Sequence, residues 1–129
     1  LQNLEEFIIA HKKRPNNTLM TLMSFRTKQI KNSGILKINN KNILTSFEEK
    51  PDKSNSNLAN GAIYILSKDM LKKLSKNYIK NKFYNFSTDM IPNFINNIFT
   101  FETKEFFIDI GNLKNLNEAN KIDKELLKK

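Results

Sequence analysis

ILTSFEEKP at 43–51, DKSNSNLAN at 52–60 and GAIYIL at 61–66 follow one another without a break, two runs of strand character around a polar loop. Leu44 and Phe47 bracket Thr45 and Ser46, while Ile63, Tyr64, Ile65 and Leu66 are β-branched, aromatic and apolar enough for a buried strand. Pro51 has no amide hydrogen, so the first run ends there, and it restricts Lys50 to extended geometry. In α/β sheets, ligand groups gather at strand ends of this kind. The stretch therefore predicts both a scaffold and a site, with Glu48, Glu49 and Lys50 at a sheet edge.

Working outward, the neighbouring segments complete an α/β pattern. Leu4, Phe7, Ile8 and His11 recur at helical spacing, with Glu5 and Glu6 early, Lys12, Lys13 and Arg14 late, and Pro15 as the stop. The single histidine, His11, has no catalytic partner nearby and reads as a helix-end residue. TLMTLMSF at 18–25 predicts a strand covered on both faces, with its methionines as core filler. Residues 27–33 read as a loop, Gly34 opens a strand through Ile38, and Asn39, Asn40, Lys41 and Asn42 turn it into the 43–51 run as a hairpin. Residues 52–57 are too polar to pack and predict an exposed loop. Ser67 predicts a helix cap with Met70, Leu71 and Leu74 as its apolar stripe, and Tyr78, Phe83 and Tyr84 anchor the polar run that follows. NFSTDMIP at 85–92 predicts a helix capped by Ser87, with Ile91, Phe94, Ile95 and Ile98 buried. Residues 99–102 and 106–110 read as strands, and Asn112 caps a last helix whose apolar side is Leu113, Leu116, Ala119, Ile122 and Leu126.

Composition narrows the function classes. A chain of 129 residues is one domain. It lacks cysteine, which excludes disulfides and thiolate metal sites. No apolar run is long enough to cross a bilayer, so a soluble cytoplasmic protein is expected. A formal charge of +9 and an isoelectric point near 9.7 raise nucleic-acid binding. Against it, the lysines are scattered and arginine is limited to Arg14 and Arg26, so they read as solvated side chains. A homo-oligomer is compatible with the sequence, which specifies none. The first residue is Leu1, which suggests a chain cut from a longer one.

Three phrases carry a resemblance. SFEEKP at 46–51 followed by Asn60, Gly61, Ala62, Ile63 and Tyr64, then FSTDMIP at 86–92, then Phe107, Ile108, Asp109, Ile110 and Gly111, are together similar to the sugar-1-phosphate nucleotidylyltransferases. The phrasing leans towards the mannose and heptose guanylyltransferases of that family. The resemblance implies a Rossmann-like α/β fold, with a mixed sheet flanked by helices, of which this chain is the carboxyl-terminal half. It implies an enzyme that joins a sugar-1-phosphate to a nucleoside triphosphate and releases pyrophosphate. It also implies roles: Gly34 lets the sugar lie against the backbone, Glu49 accepts from sugar hydroxyls, Lys50 faces the phosphate, Asn60 lies near the hydroxyls, and Asp109 helps hold Mg²⁺. Relatives continue after the glycine with Thr-Pro-Glu-Asp or similar, where this chain has Asn112, Leu113, Lys114 and Asn115.

Each role has a plainer physical counterpart. A carboxylate between Ile108 and Ile110 must be hydrogen-bonded, paired or bound to a cation, unless strand alternation turns it to water. Magnesium takes oxygen ligands, typically one or two carboxylates with phosphate oxygens. Glu49 and Lys50 are adjacent, so a regular strand would point them to opposite faces, and a kink before Pro51 is needed to bring them together. Otherwise they form a surface ion pair of little worth. The family's glycine-rich nucleotide loop, with its arginine, lysine and further aspartate, has no match among the three glycines Gly34, Gly61 and Gly111. The chain alone is therefore expected to be inactive. The rival readings are a non-catalytic remnant that binds a partner or a sugar phosphate, and a basic nucleic-acid-binding module.

Overall fold

The computed structural model describes residues 4–78 and 82–126, the last four of these as backbone only. Its elements are α1 (Leu4–Lys12), β1 (Met20–Arg26), β2 (Gly34–Ile38), β3 (Leu44–Glu49), β4 (Leu58–Leu66), α2 (Lys68–Asn77), β5 (Ile98–Glu102) and α3 (Leu113–Leu126). The strands form one mixed sheet in the order β3-β2-β4-β1-β5. The β1–β5 pair is parallel, and the β1–β4, β2–β3 and β2–β4 pairs are antiparallel. The architecture is α/β, as the alternation of strand and helix patterns predicted.

Burial follows the period of each element. Residues 20–24 of β1 are all buried because both faces of the strand are covered. On one face, Met20, Leu22 and Ile98 join Leu36, Leu44 and Leu58 in the main core, closed by Met70 of α2 and by Ile91 and Phe94. On the other, α1 sets Phe7 against Phe101, with ring centroids 5.6 Å apart. Ser67 caps α2 by accepting from the Met70 amide.

The sheet curls until the β2–β3 turn reaches β5. Ile43 bridges Phe99, and the Thr100 amide donates to the Asn42 carbonyl. That contact explains why the strand expected at 106–110 does not form: the outer edge of β5, where a returning strand would pair, already holds Asn42 and Ile43. The segment instead crosses the end of the sheet with its backbone outside any ladder.

Other expectations are corrected locally. Lys50 is not extended: its φ is 47°, in the left-handed region. The 86–94 segment is not a regular helix capped by Ser87. Asn85 caps it, accepting from the amides of Ser87 and Thr88, and a wide turn (Phe86–Met90) gives way to a 3₁₀ turn (Ile91–Phe94). Pro92, lacking an amide, fits that first turn. Leu71, Leu113 and Leu116 are exposed, as is Phe83, although Tyr78 and Tyr84 do meet edge to face at 4.7 Å. The expected side-chain role of Leu126 lies outside the described residues.

Candidate functional site

A cleft of about 450 Å³ opens beside the ends of β2, β3 and β4, and Gly34, Glu49, Lys50, Asn60 and Asp109 all line it. Residues spread over much of the chain are thus brought to one concavity.

The floor is built from two glycines. Gly34 pairs with Glu49 across the β2–β3 ladder. A Cβ added there would lie 2.8 Å from the Phe47 ring and 3.1 Å from Glu49 Oε2, so glycine is what lets ring and carboxylate lie against the backbone. Gly61 meets a similar limit, with the Met23 carbonyl 2.9 Å and the Phe107 ring 3.3 Å from where its Cβ would stand.

Backbone irregularities aim the polar groups. The ladder with β4 pairs Leu22 with Tyr64 and then Ser24 with Asn60, so β4 bulges at Gly61, Ala62 and Ile63. The bulge puts Ala62 at φ 55°, and the Asn60 carboxamide oxygen holds it by accepting from the Ala62 amide at 2.9 Å. Asn60 Nδ2 donates to Tyr64 Oη at 2.8 Å and reaches Ser87 Oγ at 3.4 Å. At the neighbouring edge, β3 stops at Glu49, and the left-handed turn at Lys50 lets both side chains line the same cleft. The Lys50 amide donates to the Ser33 carbonyl, which ties the kink to the loop before β2. Glu48 faces away and pairs with Lys37 at 3.1 Å.

Asp109 arrives from the opposite wall. Its Oδ1 accepts from the Gly111 amide at 2.9 Å, and its own carbonyl accepts from Asn115 Nδ2 at 2.6 Å. Phe107 pegs the segment down by stacking on Phe25, with centroids 4.3 Å apart. The carboxylate itself is exposed. Among the described residues no three acidic or histidine side chains cluster as a metal cage. The donor set therefore fits a hard cation held jointly by one carboxylate and by phosphate oxygens of a substrate, and does not fit an all-protein cage.

Chemically, the cleft offers a cation for a phosphate, carboxylate and carboxamide oxygens that can accept from hydroxyls, and a carboxylate fixed on a backbone turn, the Asn60 Nδ2 donors being taken by Tyr64 and Ser87. Among the lining residues outside the predicted site set are Ser87, whose phrase reads as a helix cap, and Ala62. Neither carries a local signal, since a serine in a cap-like phrase and an alanine in a strand look ordinary. His11 lies elsewhere, at the end of α1, with Nδ1 2.8 Å from Thr21 Oγ1.

Comparison with known proteins agrees with this architecture. Residues 1–125 match the model of the nucleotidyl transferase family. A glucose-1-phosphate adenylyltransferase of Clostridium acetobutylicum is 27% identical over 123 residues, covering 92% of this chain and 32% of that protein. One from Lachnospira eligens is 32% identical over 113 residues, covering 85% of this chain and 27% of that protein. The chain thus spans about a third or less of these relatives. Among solved structures, HddC from Yersinia pseudotuberculosis aligns with a TM-score of 0.67 at 26% identity, over 91% of this chain and 48% of that one. A Bacillus anthracis structure solved with sucrose has the same fold, with a TM-score of 0.75 at 13% identity, over 95% of this chain and 49% of that one. With its residues 1–125 matched by the family model, this chain belongs to the nucleotidyl transferase family, among the sugar-1-phosphate nucleotidylyltransferases that its motifs resemble.

Proposed function

We propose that this chain supplies the sugar-1-phosphate side of a nucleotidylyltransferase site, in a cytoplasmic enzyme that makes a nucleotide sugar. The observation that carries the reading is the convergence of Gly34, Glu49, Lys50, Asn60 and Asp109 on one cleft. Lys50 places a positive charge on the sugar phosphate, while Glu49 and the Asn60 carboxamide oxygen accept from the sugar hydroxyls beside Gly34, which lets the Glu49 carboxylate lie close to the backbone. An oxygen of the sugar-1-phosphate attacks the α-phosphorus of the nucleoside triphosphate, the bond from that phosphorus to the bridging oxygen breaks, and pyrophosphate leaves. No side-chain nucleophile takes part, so the protein contributes alignment and charge neutralisation. Asp109 is the residue that would hold Mg²⁺, which when bound offsets the charge of the reacting phosphates. The nucleotide loop and a further metal ligand belong, in this reading, to sequence outside these 129 residues.

The products under consideration are GDP-mannose or GDP-heptose, towards which the motif phrasing leans, and ADP-glucose, favoured by the names of the sequence relatives. The Yersinia structure was also solved with GMP-PN. Pyrophosphate release by the complete enzyme, measured with glucose-, mannose- and heptose-1-phosphate against ATP and GTP, tests the reading and chooses among them. Asp109→Asn should lower kcat about 100-fold or more with the fold intact. Lys50→Ala should chiefly raise the KM for sugar-1-phosphate, by roughly 10- to 100-fold. A silent panel, or an Asp109→Asn enzyme of near-normal activity, would overturn the assignment.

A further inference from the structure

The turn that carries Asp109 has no strand ladder to hold it, so something else must fix its position. The first turns of α3 show what. Leu113 and Leu116 are exposed, to 78% and 38%, whereas Asn115 beside them is only 6% exposed. A helix that turns leucines outward and a carboxamide inward inverts the usual partition, and a buried amide is tolerated only when its polar atoms are satisfied. Asn115 meets that condition by bridging. Its Nδ2 donates to the Asp109 carbonyl at 2.6 Å, its Oδ1 faces Gln29 Nε2 at 3.5 Å, and its backbone N–H donates to Asn112 Oδ1 at 2.9 Å. The Gln29 carbonyl in turn accepts from Ser33 Oγ at 3.1 Å, and the Ser33 carbonyl accepts from the Lys50 amide at 3.1 Å. One buried side chain thus stands between the two walls of the cleft.

We propose that Asn115 is a positioning residue: it clamps the Asp109 turn and, through Gln29 and Ser33, sets it at a fixed separation from the Lys50 kink. Asn115 does not line the cleft, and its effect is exerted through the Asp109 backbone. The catalytic part of this inference rests on the nucleotidylyltransferase reading, while the mechanical part does not.

The test uses the complete protein with Asn115→Leu, which fills the same space without a donor, and Asn115→Ala as a second variant. Hydrogen exchange in peptides covering residues 107–116 should accelerate at least about tenfold, with exchange in β1 and β4 unchanged. In turnover assays the Mg²⁺ concentration for half-maximal rate should rise about tenfold and kcat should fall, while the KM for sugar-1-phosphate moves less than about twofold. A purely structural role would lower the amount of folded enzyme without changing the Mg²⁺ requirement or the kcat per folded molecule. Unchanged exchange at 107–116 in folded Asn115→Leu overturns the clamp, and so does an unchanged Mg²⁺ requirement in an active variant. If the wild-type protein makes no nucleotide sugar, the functional reading fails, and the exchange experiment alone then decides the clamp.

Discussion

With φ at 55°, Ala62 occupies a backbone region where a Cβ crowds the neighbouring carbonyl, a strain of roughly 1–2 kcal/mol. Gly61, next to it, is held to glycine by a different cause, the close approach of the Met23 carbonyl and the Phe107 ring. Ala62→Gly should therefore stabilise the chain, by up to about 1 kcal/mol after the extra chain entropy of glycine is subtracted. Urea denaturation measures it, and a lowered midpoint would show that the bulge is not strained. His11 offers a second residue-level test. Burial, with a smaller effect of the nearby Arg14 cation, pushes its pKa below the ordinary value of 6.5. The folded state favours the neutral ring, so the unfolded chain binds more protons as the solution is acidified. The stabilising contribution is complete above about pH 6.5 and is lost as pH falls through the lowered folded value. Denaturation between about pH 7.5 and about pH 5 should show this decline, and His11→Gln should flatten it.

Among the elements, the crossing segment at 103–112 is where local pattern and tertiary context disagree most. Phe106, Phe107, Ile108 and Ile110 have every local mark of a strand, yet the edge that would receive them is occupied by the β2–β3 turn. What anchors the segment instead is a ring, Phe107 on Phe25, together with the Asn115 bond. Phe107→Ala should cost about 2 kcal/mol, less than a fully buried phenylalanine because the ring is only half-buried. The same variant should speed exchange around Asp109. A cost below about 0.5 kcal/mol with unaltered exchange would show that the ring is not the peg. The β2–β3 hairpin shows the opposite case: the Asn-rich turn and the strands flanking it were readable because every residue involved lies within one short stretch.

Over the whole molecule, the cleft is built from β2, β3, β4 and the Asp109 turn, and the two glycines that line it, Gly34 and Gly61, form no glycine-rich loop. The 129-residue chain alone should therefore bind sugar-1-phosphate yet release no pyrophosphate from any nucleoside triphosphate. Calorimetric titration and a pyrophosphate assay check the two halves separately. Turnover at an ordinary enzymatic rate, about 1 s⁻¹ or faster, would refute it. By itself the sequence determined the type of most elements, the double burial of β1 and the cap at Ser67, while the five candidate site residues were nominated through the motifs that carry the family resemblance. These are properties of side-chain period, turn chemistry and motif, which act over a few neighbouring residues. Only the tertiary structure decided that Lys50 turns left-handed, that β4 bulges at Ala62, that Ser87 faces the cleft and that the segment bearing Asp109 is no strand. Each of those outcomes depends on atoms distant along the chain, a carbonyl at Ser33, a ladder with β1 or an edge already taken by Ile43, and no local pattern encodes them.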